Sequence, residues 1–246
     1  PAPPRAGSQQ AAIDEWADSV LAAAPSMPAD PATDLLLRRP PRLTAGALPR
    51  TGDDVADISA ALAGLTDGYL AVQGPPGTGK TYVGSHVVAR LVRERGFRVG
   101  VVAQSHNVVE HMLDRIVEAG VPTAQVAKAP KAPATGEERF TVIAKNQLAA
   151  YIDGQPAGFV VGGTAWDLTH SGRVARGSLD LLVIDEAGQF SLASTIAVSA
   201  ASRRLLLLGD PQQLPQVSQG THPEPVDTSA LGWVMDDHAV IPADRG

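Results

Sequence analysis

An α/β fold, with a mostly parallel sheet and helices on both of its faces, is what this sequence predicts. Three observations carry that expectation. Segments of strand length at Arg98 to Ala103, Phe159 to Gly162, Leu181 to Ile184 and Leu205 to Leu208 are dominated by apolar residues without alternation, as in strands covered on both faces. Helical stretches separate them, notably Val108 to Ala119, Arg139 to Tyr151 and Ser191 to Ser202, which gives the alternation of a parallel sheet. The third is a G-x-x-x-x-G-K-T run, Gly74-Pro75-Pro76-Gly77-Thr78-Gly79-Lys80-Thr81. It lies between the apolar segment Tyr69-Leu70-Ala71-Val72 and a helical stretch from Tyr82 to Arg95, in a strand–loop–helix setting.

Along the chain the organisation is uneven. Residues 1–50 read as a Pro/Ala-rich extension or linker with one helix-like stretch, Gln9 to Ala24, where Ile13, Trp16, Val20 and Leu21 share a face. Pro25, Pro28, Pro31, Pro40 and Pro41 then break regular structure. A short helix from Asp54 to Ala63 opens the main unit, residues 51–217. Lys128 to Thr135 (KAPKAPAT) reads as a surface loop, and residues 218–246 as an irregular tail rich in Pro, Gly, Asp and His. At 44% hydrophobic residues a real core is available, and no apolar run approaches the length that spans a bilayer. The chain has no cysteine, which excludes disulfides and thiolate metal sites and fits a reducing compartment, hence a cytoplasmic location. Its six histidines show no zinc-ligand spacing. The net charge of −6 removes bulk attraction to nucleic acid, so any such binding must be local. The chain starts at Pro1 rather than Met and reads as a processed product or a piece of something longer.

The motifs carry the chemistry. Gly77 and Gly79 permit backbone conformations that aim successive N–H groups at one anion, and the helix that starts near Lys80 adds its positive dipole end. Lys80 then reaches the β- and γ-phosphates, and the Thr81 hydroxyl holds Mg²⁺. An ordinary Gly-rich turn would leave Lys80-Thr81 unexplained. In Leu181-Leu182-Val183-Ile184-Asp185-Glu186, four apolar residues run into two acids, as in a buried strand that ends at a catalytic edge. Beside a phosphate loop, Asp185 is expected to hold Mg²⁺ and Glu186 to accept a proton from the attacking water. The alternative is a solvated acidic turn. A third strand runs into Gly209-Asp210-Pro211-Gln212-Gln213-Leu214-Pro215, which places Gln213 to sense the γ-phosphate, although Asp210-Pro211 is also a good turn dipeptide.

These residues resemble a known family. GPPGTGKT (Gly74 to Thr81), DEAGQ (Asp185 to Gln189) and GDPQQLP (Gly209 to Pro215) are similar to motifs I, II and III of superfamily 1 helicases. The DEAGQ form is most like the Upf/Dna/Pif branch, whose members typically move 5′→3′. Ala103-Gln104-Ser105-His106-Asn107 resembles motif Ia and Gly162-Gly163-Thr164-Ala165-Trp166 resembles motif Ic; both contact the single strand in that family. The stretch from about residue 70 to 217 is also similar to the helicase part of bacterial proteins that fuse a RecB-like nuclease to a superfamily 1 helicase. The resemblance implies a RecA-like P-loop NTPase domain, the first of two, using ATP and Mg²⁺ on single-stranded nucleic acid, DNA rather than RNA. Ser105 and Asn107 can donate to phosphate oxygens from the start of a helix, and Trp166 offers a face for an unpaired base. Ser105 is equally suited to be a helix cap, and Trp166 to lie in the core.

Two departures from the family pattern bear on function. No glutamine lies between Ala11 and Leu70, where the branch carries its adenine reader, and Gln73 abuts the loop instead. Too few residues follow Gln213 for a second RecA-like domain with its arginine finger, and no nuclease motif is present. The expectation is therefore an incomplete motor: ATP binding, weak hydrolysis and no unwinding by this chain alone. A nucleotide-gated binding module is the alternative from a different class.

Overall fold

The computed structural model describes residues 7–75, 77–131, 136–211, 223, 225–226 and 228–246. Seven strands form one sheet: β1 (Tyr69–Gln73), β2 (Arg98–Val102), β3 (Val126–Lys128), β4 (Thr141–Val142), β5 (Phe159–Gly163), β6 (Leu181–Ile184) and β7 (Leu205–Gly209). Their order across the sheet is β1-β7-β6-β2-β5-β3-β4, and every pairing is parallel. The helices are α1 (Ser8–Ala23), α2 (Pro31–Leu36), α3 (Asp54–Gly64), α4 (Lys80–Arg95), α5 (His106–Glu118), α6 (Leu148–Asp153), α7 (Ala165–Thr169), α8 (Leu192–Ser199) and α9 (Ala230–Met235).

Strand periodicity explains why the apolar runs are continuous. Successive side chains point to opposite faces, so each run must serve two cores. Leu182, Ile184, Leu205 and Leu207 enter one cluster, with residues of α2, α6, α8 and α9. Leu181, Val183, Leu206 and Leu208 enter the other, against α3, α4 and α5. The α/β expectation, with helices on both faces, therefore holds.

Four local expectations do not. Pro31 starts α2 instead of breaking structure, because Asp30 caps the helix by accepting from Thr33 N at 2.8 Å and proline is tolerated in a first turn. Lys128 ends β3 and is fully buried, so the segment read as a surface loop begins inside the sheet; residues 132–135 lie outside the described residues. Arg139 to Tyr151 is not one helix. Thr141–Val142 pairs with β3, Ile143 N donates to Lys128 O at 3.1 Å, and a 3-10 turn at Lys145–Gln147 leads into an α-helix only at Leu148. The β-branched run Thr141-Val142-Ile143 favours that extended start. Finally, Ala230–Met235 in the tail is helical, capped by Ser229, which accepts from Gly232 N at 3.0 Å. Its Leu231 and Val234 are fully buried.

Residues of the first fifty also enter the core: Ala12, Ala32 and Leu35 are fully buried. Among the described residues no helix is long and apolar enough to cross a membrane.

Candidate nucleotide site and nucleic-acid interface

Because all strands are parallel, the residues that follow β1, β7, β6, β2 and β5 emerge at one edge in that order. The loop after β1 is tied to the end of β7 by Gly74 N, which donates to Gly209 O at 3.1 Å. Gly77 and Gly79 take φ of 78° and 83°, left-handed values that a Cβ resists, and each faces open space. Thr78 Oγ1 donates to Pro75 O at 2.8 Å. Lys80 Nζ donates to the carbonyls of Gly74 and Pro75, the latter at 2.8 Å, so its ammonium lies along the loop. Thr81 follows in the first turn of α4. Pro76 lies outside the described residues.

Asp185 directly follows β6 and is 6% exposed. Its Oδ1 accepts from Glu186 N at 3.0 Å, and Asp185 N donates to Val102 O at 2.9 Å. Burial pushes its carboxyl up to about 6; the Glu186 backbone donor and the Lys80 charge oppose the rise, and the Glu186 charge adds to it. A carboxylate so poorly solvated suits a bound cation, so the donor set of Thr81 and Asp185 fits Mg²⁺. Glu186 adopts φ 56°, an uncommon backbone for a residue with a Cβ, and is partly exposed. The turn after it is held against the end of β7, with Ala187 N donating to Leu208 O at 2.8 Å. A Cβ on Gly188 would collide with the carbonyl of Asp210, so the two motifs touch backbone to backbone. Gln213 falls outside the described residues.

Beside the loop lies a cavity of about 810 Å³, with apolar walls from Leu48, Ile58, Val72, Val83 and Ile241. Gln73 lines it with its amide engaged: Oε1 accepts from Ile241 N at 2.9 Å and Nε2 donates to Ala239 O at 3.4 Å. The residues after α9 thus form part of the cavity wall, a relation with no local signal in the sequence.

The strands β2 and β5 are neighbours, so the segments that follow them sit side by side. Ser105 caps α5, accepting from Val108 N at 3.3 Å, and both Ser105 and Asn107 are exposed. Gln104 Nε2 donates to Gln189 O at 3.0 Å, which links this segment to the turn after β6. Thr164 donates to Asp167 Oδ2 through N at 3.0 Å and through Oγ1 at 2.8 Å, so its hydroxyl is already used within α7's first turn. Trp166 is 43% exposed rather than in the core. His106 Nδ1 lies 2.9 Å from the Nζ of Lys128, which is buried at the end of β3 rather than exposed in a loop.

The profile of the AAA domain family matches residues 54–230. The DNA replication ATP-dependent helicase/nuclease DNA2 of Bos taurus is 28% identical over 156 residues, 61% of this chain and 14% of that protein. The regulator of nonsense transcripts 1 of Caenorhabditis elegans is 32% identical over 98 residues, 39% of this chain and 9% of that protein. Among solved structures, arterivirus nonstructural protein 10 (helicase) with DNA aligns at TM-score 0.41 and 18% identity, over 67% of this chain and 33% of that one. The chain thus spans only a small part of the length of its curated relatives, 14% for the first. With the family profile covering residues 54–230, this protein belongs to the AAA domain family.

Proposed function

We propose that this chain is the first motor domain of an ATP-dependent helicase or translocase acting on single-stranded nucleic acid. The observation that supports it most directly is the order along one sheet edge: Lys80, Asp185 and Glu186 follow β1 and β6, and the candidate strand contacts follow the adjacent β2 and β5. In this reading the loop from Gly74 to Gly79, Pro75, Pro76, Gly77 and Thr78 included, surrounds the triphosphate of ATP, with the N–H groups of Gly77, Thr78 and Gly79 as its donors. The base lies in the apolar cavity beside Gln73. Lys80 exchanges its loop carbonyls for phosphate oxygens, which offer it full negative charge. Thr81 and Asp185 would hold Mg²⁺, which when bound neutralises charge on the phosphate oxygens. Glu186 takes the proton of the attacking water, and Gln213 senses the γ-phosphate.

Ser105, His106, Asn107, Thr164 and Trp166 form the strand interface. Thr164 contributes its place at the turn, since its hydroxyl is committed to Asp167. DNA is favoured over RNA because most of the similar curated proteins carry DNA replication in their names. A second RecA-like domain, and an associated nuclease like that named for those relatives, complete the longer protein in this reading. The test is ATP hydrolysis with and without an oligo-dT strand. The proposal expects slow hydrolysis that the strand accelerates, and no duplex unwinding by this chain alone. Tight ATP binding that ignores oligo-dT, even with a second motor domain joined, would overturn it in favour of a nucleotide-gated binding module.

A further inference from the structure

Lys128 anchors a buried polar cluster directly behind the proposed strand interface. Lys128 is 0% exposed at the end of β3, where an ammonium is costly unless each of its donors is matched. All three are matched: Glu110 Oε1 at 2.7 Å, His106 Nδ1 at 2.9 Å and Ala129 O at 3.2 Å. Glu110 and His106 are on α5, one turn apart, so the lysine braces the first turn of that helix from the neighbouring strand.

An ammonium offers only donors. At 2.9 Å from it, His106 Nδ1 must be the acceptor, which leaves the ring proton on Nε2. Among the described residues no hydrogen bond takes up that Nε2–H, and His106 is partly exposed between the exposed Ser105 and Asn107. We propose that Lys128 is a positioning residue: it fixes the tautomer and ring orientation of His106 so that Nε2–H is presented as a donor to the backbone of a bound single strand. This rests on the reading of the β2 edge as a nucleic-acid interface.

The electrostatic surroundings agree with a neutral ring. Burial and the Lys128 charge, with a smaller part from Lys131, lower the tendency of His106 to protonate; Glu110 on its own helix and Asp167 on α7 pull the other way. His106 then contributes a directed hydrogen bond, not a charge. That distinguishes it from the basic residues that usually hold phosphates, and it suits a chain of net charge −6.

The experiment uses the full 246-residue chain. Nitrogen–proton correlation spectra of its histidine side chains should show His106 as the Nε2–H tautomer, protonating at lower pH than an ordinary histidine. Lys128→Met should convert that signal to a tautomer mixture with a raised titration midpoint. Should that variant fail to fold, the unmutated spectrum decides the tautomer by itself. His106→Ala should weaken oligo-dT binding about fivefold, the worth of one net hydrogen bond. The loss should leave the salt slope unchanged, as expected for a neutral donor.

An Nδ1–H tautomer overturns the proposal, as does a salt slope that falls by about one in His106→Ala, the mark of a lost cation. Unchanged oligo-dT affinity in His106→Ala also overturns it, while leaving the interface reading intact. Failure of the unmutated chain to bind oligo-dT at any salt concentration overturns both, and is recognisable because no variant is involved.

Discussion

The two halves of the proposed functional edge are built by different means. At β1, β7 and β6 the site is mostly backbone: loop amides, a left-handed Glu186, and glycines where motifs II and III touch. Its buried acids, Asp185 and Asp210, are direct continuations of apolar strands. At β2 and β5 the site is made of side chains carried on helix starts, and its buried charge, Lys128, arrives from β3, two strands away from β2. Backbone geometry tolerates few residue types at each position, so the first half is written in contiguous words of sequence. Side-chain geometry is assembled from distant parts, so the second is not.

The largest expected effect tests the first half. Glu186→Gln should lower strand-stimulated ATP hydrolysis by about 10²–10⁴-fold, the usual contribution of a general base, with ATP binding retained. Lys80→Ala should remove nucleotide binding as well, as read by a fluorescent ATP analogue. Equal hydrolysis in Glu186→Gln would end the base assignment.

Gly188→Val tests whether the contact between motifs is truly backbone to backbone. The added side chain meets the Asp210 carbonyl and the neighbouring Pro211 Cα, neither of which can rotate away. A loss of about 1–3 kcal/mol in urea unfolding is expected. No change would show that the turn after β6 has room to move.

In the second half, Trp166→Ala should cost about 1–3 kcal/mol of oligo-dT affinity by fluorescence anisotropy, with ATP binding untouched. Were ATP binding to fall equally, the two halves would be a single site rather than neighbours.

The smallest effect concerns pH. His106 in the fold is harder to protonate than in the unfolded chain, so the unfolded state binds more protons as acidity rises. Its contribution to stability is present above the ordinary histidine value of about 6.5 and is lost as pH falls through the lower folded value. Unfolding followed between about pH 8 and about pH 5 should show this decline, and His106→Gln should flatten it. A flat profile in the unmutated chain would mean that burial and Lys128 do not act on the ring.

Legibility in the sequence follows the same division. The strands β1, β2, β5, β6 and β7 could be read because each is apolar on both faces and bounded by turn or helix signals. The strand β3 could not: it is three residues long, and its last residue is a lysine in a Lys/Ala/Pro-rich run. Nothing local distinguishes a lysine that finds Glu110 and His106 from one that faces solvent. The tail misled for a related reason. Ala230–Met235 is a short helix held mainly by Leu231 and Val234 in the core, and tertiary burial outweighs a sequence rich in turn formers around it.

By itself, the sequence determined the parallel α/β class, the phosphate loop, and the acidic pair after β6. These depend on local rules: two-faced apolar strands, glycine dihedrals and the residues at a strand end. Only the tertiary structure decided that Gln73 grips the segment after α9, that Trp166 stays outside the core, and that Lys128 braces His106. Those relations join residues on separate elements, and their energies come from burial and directed hydrogen bonds that exist only after the sheet has formed.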